Sequence, residues 1–111
     1  MHQAQSTVPT VTLKGASGAA YAFEVYRLDT SFNAVAVVYA ISARDPELRH
    51  SILYVGQTAN LPERFANHHR APCFTRLGAT HVLVFQKYDE SERLEIETDL
   101  RRFYDPHCNR Q

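Results

Sequence analysis

Val37-Val38-Tyr39-Ala40-Ile41 and Ser51-Ile52-Leu53-Tyr54-Val55-Gly56 decide how this 111-residue chain is to be read. The first belongs to a nearly continuous apolar run, Ala34 to Ile41, rich in Val. Such a run suits a central strand buried on both faces. The second reads as another strand, Ser51 to Val55, ended by Gly56. Glycine lets the chain leave a strand with little steric restriction and brings backbone close to a ligand. As antiparallel neighbours, the two strands present Tyr39 and Tyr54 to one surface. A helix follows. Asn60 is placed to cap it, with Glu63 three residues on as the partner of a capping box. Pro62 is tolerated in a first turn, where its missing N–H is not needed. The helix is predicted to run to about His69 and to stop before Pro72. Arg64 and His68, one turn apart, share a face.

Outward from this centre, Val11–Lys14 and Tyr21–Leu28 read as strands joined by the turn Gly15-Ala16-Ser17-Gly18. Tyr21, Phe23 and Val25 alternate with polar or small residues, which is the strand period. Ser42 to His50 reads as a polar connection. Cys73 to Leu77 reads as one further helical turn, His81 to Tyr88 as a strand, and Ser91 to Tyr104 as the last helix, ended before Pro106. The expected fold is α+β in a single domain, 1–111. Residues 1–32 are a tail and hairpin extension, with Met1–Thr7 a frayed end, and residues 33–109 form a β-β-α-β-α core. A mainly antiparallel sheet centred on Ala34–Ile41 should be flanked by the helices beginning near Leu61 and Ser91. The hairpin should extend or cover it.

Composition narrows the partners. With 44% apolar and 22% charged residues, the chain is an ordinary globular sequence. No apolar run reaches the ~20 residues of a membrane span, so no membrane partner is expected. The first residues lack a hydrophobic signal region, which points to the cytoplasm. There Cys73 and Cys108 are expected as free thiols. Twelve Lys and Arg balance twelve Asp and Glu, so there is no global basic excess to drive non-specific nucleic-acid binding. Locally, Arg64, His68, His69, Arg70, Arg76 and His81 face only Glu63 between Leu61 and His81, while Asp89 to Asp99 holds six acids and one Arg. Nucleic-acid contact is therefore expected in the first stretch, through Arg64, Arg70 and Arg76.

On the last helix, Ile96, Leu100, Phe103 and Tyr104 define an apolar arc. Glu97 lies at its edge, about 20° from Tyr104 at 100° per residue. It is the acid placed to point toward the sheet. Pairing with Arg93 or Arg101 on neighbouring turns is the simpler use of that carboxylate; holding a metal is the other.

Taken together, Val37-Val38-Tyr39, Tyr54-Val55-Gly56-Gln57-Thr58, and Asn60 to Phe65 with His68 resemble the signature of the GIY-YIG nuclease superfamily. Arg64 falls ten residues after Tyr54 and His68 fourteen after it, where the family places its catalytic Arg and a His or Tyr. Glu97 precedes Leu100 by three residues, Pro106 by nine and Asn109 by twelve, like the family's metal-binding helix and its closing Pro and Asn. The likeness covers roughly Val35 to Asn109. Val37 stands where the first motif has its Gly, Gln57 where many members carry Lys, and the connection between the motifs is long.

The resemblance implies a metal-dependent endonuclease that hydrolyses phosphodiester bonds in nucleic acid, DNA of special structure foremost. A protein partner would supply specificity. Its catalytic residues would be Tyr39, Tyr54, Arg64, His68 and Glu97. Glu97 would hold one Mg²⁺ or Mn²⁺ ion, Arg64 would bind phosphate oxygens, and Tyr39 or Tyr54 would position or deprotonate water. Arg64, the metal and His68 would supply the positive field that a phenol needs to act as base. Gly56, Gln57, Thr58, Arg70, Arg76 and Asn109 would contact the nucleic acid. Two alternatives are a catalytically weak nucleic-acid or protein interaction module of the same fold, and a zinc site drawn from His68, His69, Cys73, His81, His107 and Cys108. The spacing of the last set fits no standard finger.

Overall fold

The computed structural model describes residues 8–110, so the expected frayed end Met1–Thr7 lies outside the described residues. Five strands form one sheet: β1 (Thr10–Lys14), β2 (Ala20–Arg27), β3 (Val37–Arg44), β4 (His50–Thr58) and β5 (His81–Gln86). The order is β1-β2-β5-β3-β4, and every pairing is antiparallel. The helices are α1 (Leu61–Ala66), α2 (Ala71–Arg76) and α3 (Glu90–Tyr104), followed by a 3-10 turn at His107–Asn109. This is an α+β fold, and the hairpin extends the sheet by pairing β2 with β5.

The middle of the sheet is β5, not the Ala34–Ile41 segment. That segment enters the sheet only at Val37 and lies one place over, between β5 and β4. It is nevertheless buried on both faces, with Val37 to Ile41 at most 1% exposed. The run Val82-Leu83-Val84 carried the same two-faced signal, and all three residues are buried. The connection expected over Ser42–His50 shrinks to residues 45–49, because the two strands continue on either side of it. Ser42 tolerates this burial because its hydroxyl pairs with Nδ1 of His50 at 2.8 Å. Asp45 closes the turn by accepting the N–H groups of Glu47 and Arg49, each at 2.9 Å.

Helix α1 is capped by the Asn60 side chain, which accepts the Glu63 N–H at 3.2 Å, but the box is not closed by Glu63: the Asn60 N–H goes to the Thr58 hydroxyl at 3.1 Å. It ends at Ala66 rather than near His69, because Asn67 leaves helical geometry at φ −151°, ψ 57°. That early exit turns His68 inward. Helix α3 begins at Glu90, with the Asp89 carboxylate accepting the Glu92 N–H at 3.1 Å.

The sheet has a core on each face. Tyr39, Ile41, Tyr54 and Val82 pack under Leu61 of α1 and Phe74 of α2. Phe23, Val38, Val55 and Leu83 pack under Ile96 and Leu100 of α3. Burying each of those two α3 side chains contributes about 1.5–3 kcal/mol.

Cys73 and Cys108 are joined in a disulfide, their Cα atoms 5.9 Å apart, against the expectation of free thiols. Spacing along the chain does not disclose that α2 and the 3-10 turn pack into the same core cluster, where Cys73 and Cys108 are 2% and 0% exposed. The zinc alternative thereby loses two of its donors. Among the described residues, no helix is long and apolar enough to cross a membrane.

Candidate active site

Tyr39 of β3 lies directly opposite Gly56 of β4, and Tyr54, two residues before Gly56, projects to the same face. The two rings sit 6.0 Å apart between centroids. Gly56 is what lets them approach. A Cβ there would stand 2.8 Å from the Cζ and hydroxyl oxygen of Tyr39 and 2.9 Å from a ring carbon of Tyr54. Tyr39 is fully buried, while Tyr54 is 8% exposed at the rim.

His68 completes the pocket, its ring edge-on to Tyr54 at 5.1 Å and against Phe74 at 4.9 Å. Its Nδ1 accepts the backbone N–H of Arg70 at 3.0 Å. A neutral imidazole carries one N–H, so the proton sits on Nε2, which donates to the Tyr39 hydroxyl oxygen at 2.7 Å. Burial, reinforced by His69, Arg64 and Arg70, lowers the His68 pKa to about 4. His68 is thus neutral at pH 7. The sequence had it as a source of positive field; desolvation makes it a hydrogen-bond donor instead.

The phenols differ. Burial, then Tyr54, drives the Tyr39 pKa far above the usual phenol range, and the Arg64 guanidinium offsets only part of this. Burial, then Glu97, also raises Tyr54, but less far, because Arg64, the Tyr39 hydroxyl and Arg70 all draw it down. With its oxygen already accepting from His68, Tyr39 has its own proton to direct at Tyr54. Of the two, Tyr54 is the one that ionises more readily and meets solvent.

Arg64, half-buried on α1, acts on Tyr39, Tyr54 and Glu97 together, lowering the pKa of each. Glu97, half-buried on α3, has its pKa raised by burial, an effect that Arg101 and Arg64 counter. Among the described residues its carboxylate forms no salt bridge. Arg93, one of its expected partners, is 4% exposed and turned elsewhere. It donates from Nε to the Gln57 side-chain oxygen at 2.8 Å and from a terminal nitrogen to the carbonyls of Lys87 and Tyr88 at 3.1 and 2.6 Å.

Tyr39, Tyr54 and His68 therefore gather over Gly56, while Arg64 of α1 and Glu97 of α3 reach them through their charges. Arg70 joins them through its effects on Tyr54 and His68. Its Nε is buried with no hydrogen-bond partner among the described residues. Gln57, Thr58 and Asn109, also expected as contacts, turn polar atoms into the scaffold. Gln57 holds Arg93. The Thr58 hydroxyl accepts the Asn60 N–H at 3.1 Å and donates to its carbonyl at 3.2 Å. Asn109 accepts the Val55 N–H at 2.8 Å and donates to the Val55 carbonyl at 2.9 Å, closing the free edge of β4. Arg76 is exposed on α2 and leans on the Cys73 sulfur at 3.6 Å.

Sequence reading missed Arg93 and Phe74. Arg93 had a signal, since Arg93, Ile96 and Leu100 fall at i, i+3 and i+7 on the buried stripe of α3. Phe74 had none, because α2 is too short for a period.

The Glu97 carboxylate, half-buried and without a salt bridge among the described residues, could take a divalent cation. Mg²⁺ is commonly held by one or two carboxylates, keeping several waters and taking substrate phosphate oxygens as further ligands. Among the described residues there is no group of three or more His, Cys, Asp or Glu that would form an all-protein cage. Comparison of the chain with family models, with curated proteins and with solved structures finds no match.

Proposed function

We propose that the protein is a GIY-YIG-type, metal-dependent endonuclease that hydrolyses phosphodiester bonds in nucleic acid, foremost DNA of special structure. We place its action in the cytoplasm, with specificity supplied by a protein partner; the Cys73–Cys108 disulfide, rare in that compartment, weighs against this placement. The observation that supports this reading is the contact of Tyr39, Tyr54 and His68 beside Gly56, with Arg64 and Glu97 close enough to act on Tyr54 by their charges.

Hydrolysis needs an activated water, neutralised phosphoryl oxygens and a stabilised leaving oxygen. Arg64 presents a planar fork of donors to the non-bridging oxygens. Glu97 would hold Mg²⁺ or Mn²⁺, which would supply Lewis-acid stabilisation of phosphate and leaving oxygen. Tyr54 would orient the water; burial and Glu97 raise its pKa, so for it to take the water's proton it relies on Arg64, the Tyr39 hydroxyl and Arg70, which draw that pKa down. Tyr39 is thus a positioning residue behind Tyr54.

A second reading, a nucleic-acid or protein interaction module without robust activity, is favoured by one observation. Gln57, where many of the enzymes it resembles carry Lys, is tied to Arg93 and brings no positive charge. Incubation with branched, nicked, flapped and linear DNAs in Mn²⁺ separates the two. The nuclease reading expects cleavage of at least one of them. Binding without cleavage of any selects the module.

A further inference from the structure

We infer a second phosphate-binding surface at the C-terminal end of α3, which takes the nucleic-acid backbone as it leaves the Glu97 pocket. The inference rests on the nuclease reading and adds to it residues that lie outside the basic Leu61–His81 stretch.

Arg101 and Arg102 in the last turn of α3, and Arg110 just beyond the 3-10 turn, line a cavity of about 250 Å³ with Thr98, Pro106 and Asn109. The one acid in its lining is Asp105, whose carboxylate lies 3.6 Å from Nε of Arg110. Three arginines against one aspartate leave the hollow positive. Guanidinium forks around a concavity suit the paired oxygens of a phosphodiester.

The helix itself does not account for the cluster. Cations in a last turn offset the helix dipole, which covers Arg101 and Arg102 but not Arg110. Arg110 is held in place by other means. Its backbone N–H bonds the His107 carbonyl at 3.1 Å, and its neighbour Asn109 is clamped to Val55 of β4.

Position supports the assignment. Arg101 stands one helical turn beyond Glu97 on α3, so the cavity it lines adjoins the Glu97 side of the helix. The earlier part of α3 carries Glu90, Glu92, Glu95 and Asp99, which repel phosphate. Asp99 is engaged by Ser17 and Tyr21 of the hairpin and feels Arg102. A backbone crossing Glu97 therefore finds its favourable path over the C-terminal end of α3, not along the helix.

The test is the salt dependence of binding to a linear duplex oligonucleotide, with chelator present so that no cleavage intervenes. Each phosphate contact on duplex DNA contributes about 0.9 to the slope of log affinity against log salt. The Arg101→Ala/Arg102→Ala/Arg110→Ala variant should bind more weakly, with a slope shallower by roughly 2–3. Should thermal melting show that the triple variant does not fold, Arg102→Ala and Arg110→Ala singly should each flatten the slope by about 1. An unchanged slope and affinity in the folded variants, with binding lost in Arg64→Ala, overturns the second surface and leaves the nuclease reading standing. Absence of binding by the wild-type protein overturns both.

Discussion

The Tyr39 hydroxyl oxygen and Nε2 of His68 lie 2.7 Å apart in the interior, and the bond between them has a fixed direction. The Arg70 N–H occupies Nδ1, so Nε2 must donate. Tyr39 therefore receives a proton contact from behind, which leaves its own O–H as a donor on the side where the Tyr54 ring packs. The pair turns two buried aromatic residues into a support for the one phenol at the rim.

Tyr39→Phe and Tyr54→Phe should accordingly differ. Removing the Tyr39 hydroxyl strands a buried Nε2–H, at a cost of about 1–3 kcal/mol. Removing the Tyr54 hydroxyl takes away the acceptor facing the buried Tyr39 O–H and costs a similar amount, about 1–3 kcal/mol, but the cleavage rate of the folded protein also falls ~10²–10⁴-fold, as for a lost general base. Denaturant melts beside single-turnover rates check both. Wild-type cleavage by Tyr54→Phe would rule out its role as base.

Gly56→Ala tests the floor of the pocket. A Cβ at 2.8 Å from Tyr39 meets atoms of a packed ring that has nowhere to retreat. Overpacking of this kind costs about 1–3 kcal/mol. Chemical denaturation should show that loss, and tyrosine fluorescence should report the displaced rings. A variant as stable as the wild type would mean that the two strands do not pair in this register.

His68 should leave a mark on stability against pH. Its folded pKa of about 4 lies below the ~6.5 of an unfolded histidine. The neutral ring's contribution is fully present above pH ~6.5 and is lost as pH falls toward 4, on the order of 3 kcal/mol in all. His50 and His81, also lowered by burial, add the same sign. Glu97, raised by burial, works the other way as pH climbs past the ordinary carboxylate value. Stability measured between pH 7 and 4 should fall less steeply in His68→Gln. Equal slopes would show that His68 is not buried neutral.

The Cys73–Cys108 bond closes a loop spanning a sequence separation of 35. In the chain-entropy account its loss costs about 3–4 kcal/mol. Melting with and without dithiothreitol should show a large drop in the wild type and none in Cys73→Ala/Cys108→Ala. Thiol titration of the denatured protein should find no free thiol before reduction. Identical melts in the two conditions would contradict the pairing.

Much of this was legible where chemistry and period agree. Asn60 with Glu63 announced α1, the Val37–Ile41 run announced a strand buried on both faces, and Glu97 stood out at the edge of an apolar arc. What stayed hidden depends on contacts between distant segments. That β5 enters between β2 and β3 is a matter of pairing, which an apolar run does not specify. The exit of α1 at Asn67, which turns His68 inward, is not encoded in any local propensity. Gln57 and Asn109 looked like ligands for a nucleic acid until Arg93 and the Val55 backbone took up their amides.

The most direct test of the account is single-turnover cleavage by wild type and Glu97→Gln across a Mg²⁺ or Mn²⁺ titration, with melting of both. Gln keeps the shape of the side chain and removes the buried charge that burial disfavours, so the variant should melt at or above the wild-type temperature. The wild type should cleave in a metal-dependent manner, and the folded variant should show no metal-dependent cleavage. A Glu97→Gln protein that cleaves like the wild type, or a wild type that cleaves equally well in chelator, would contradict the central claim.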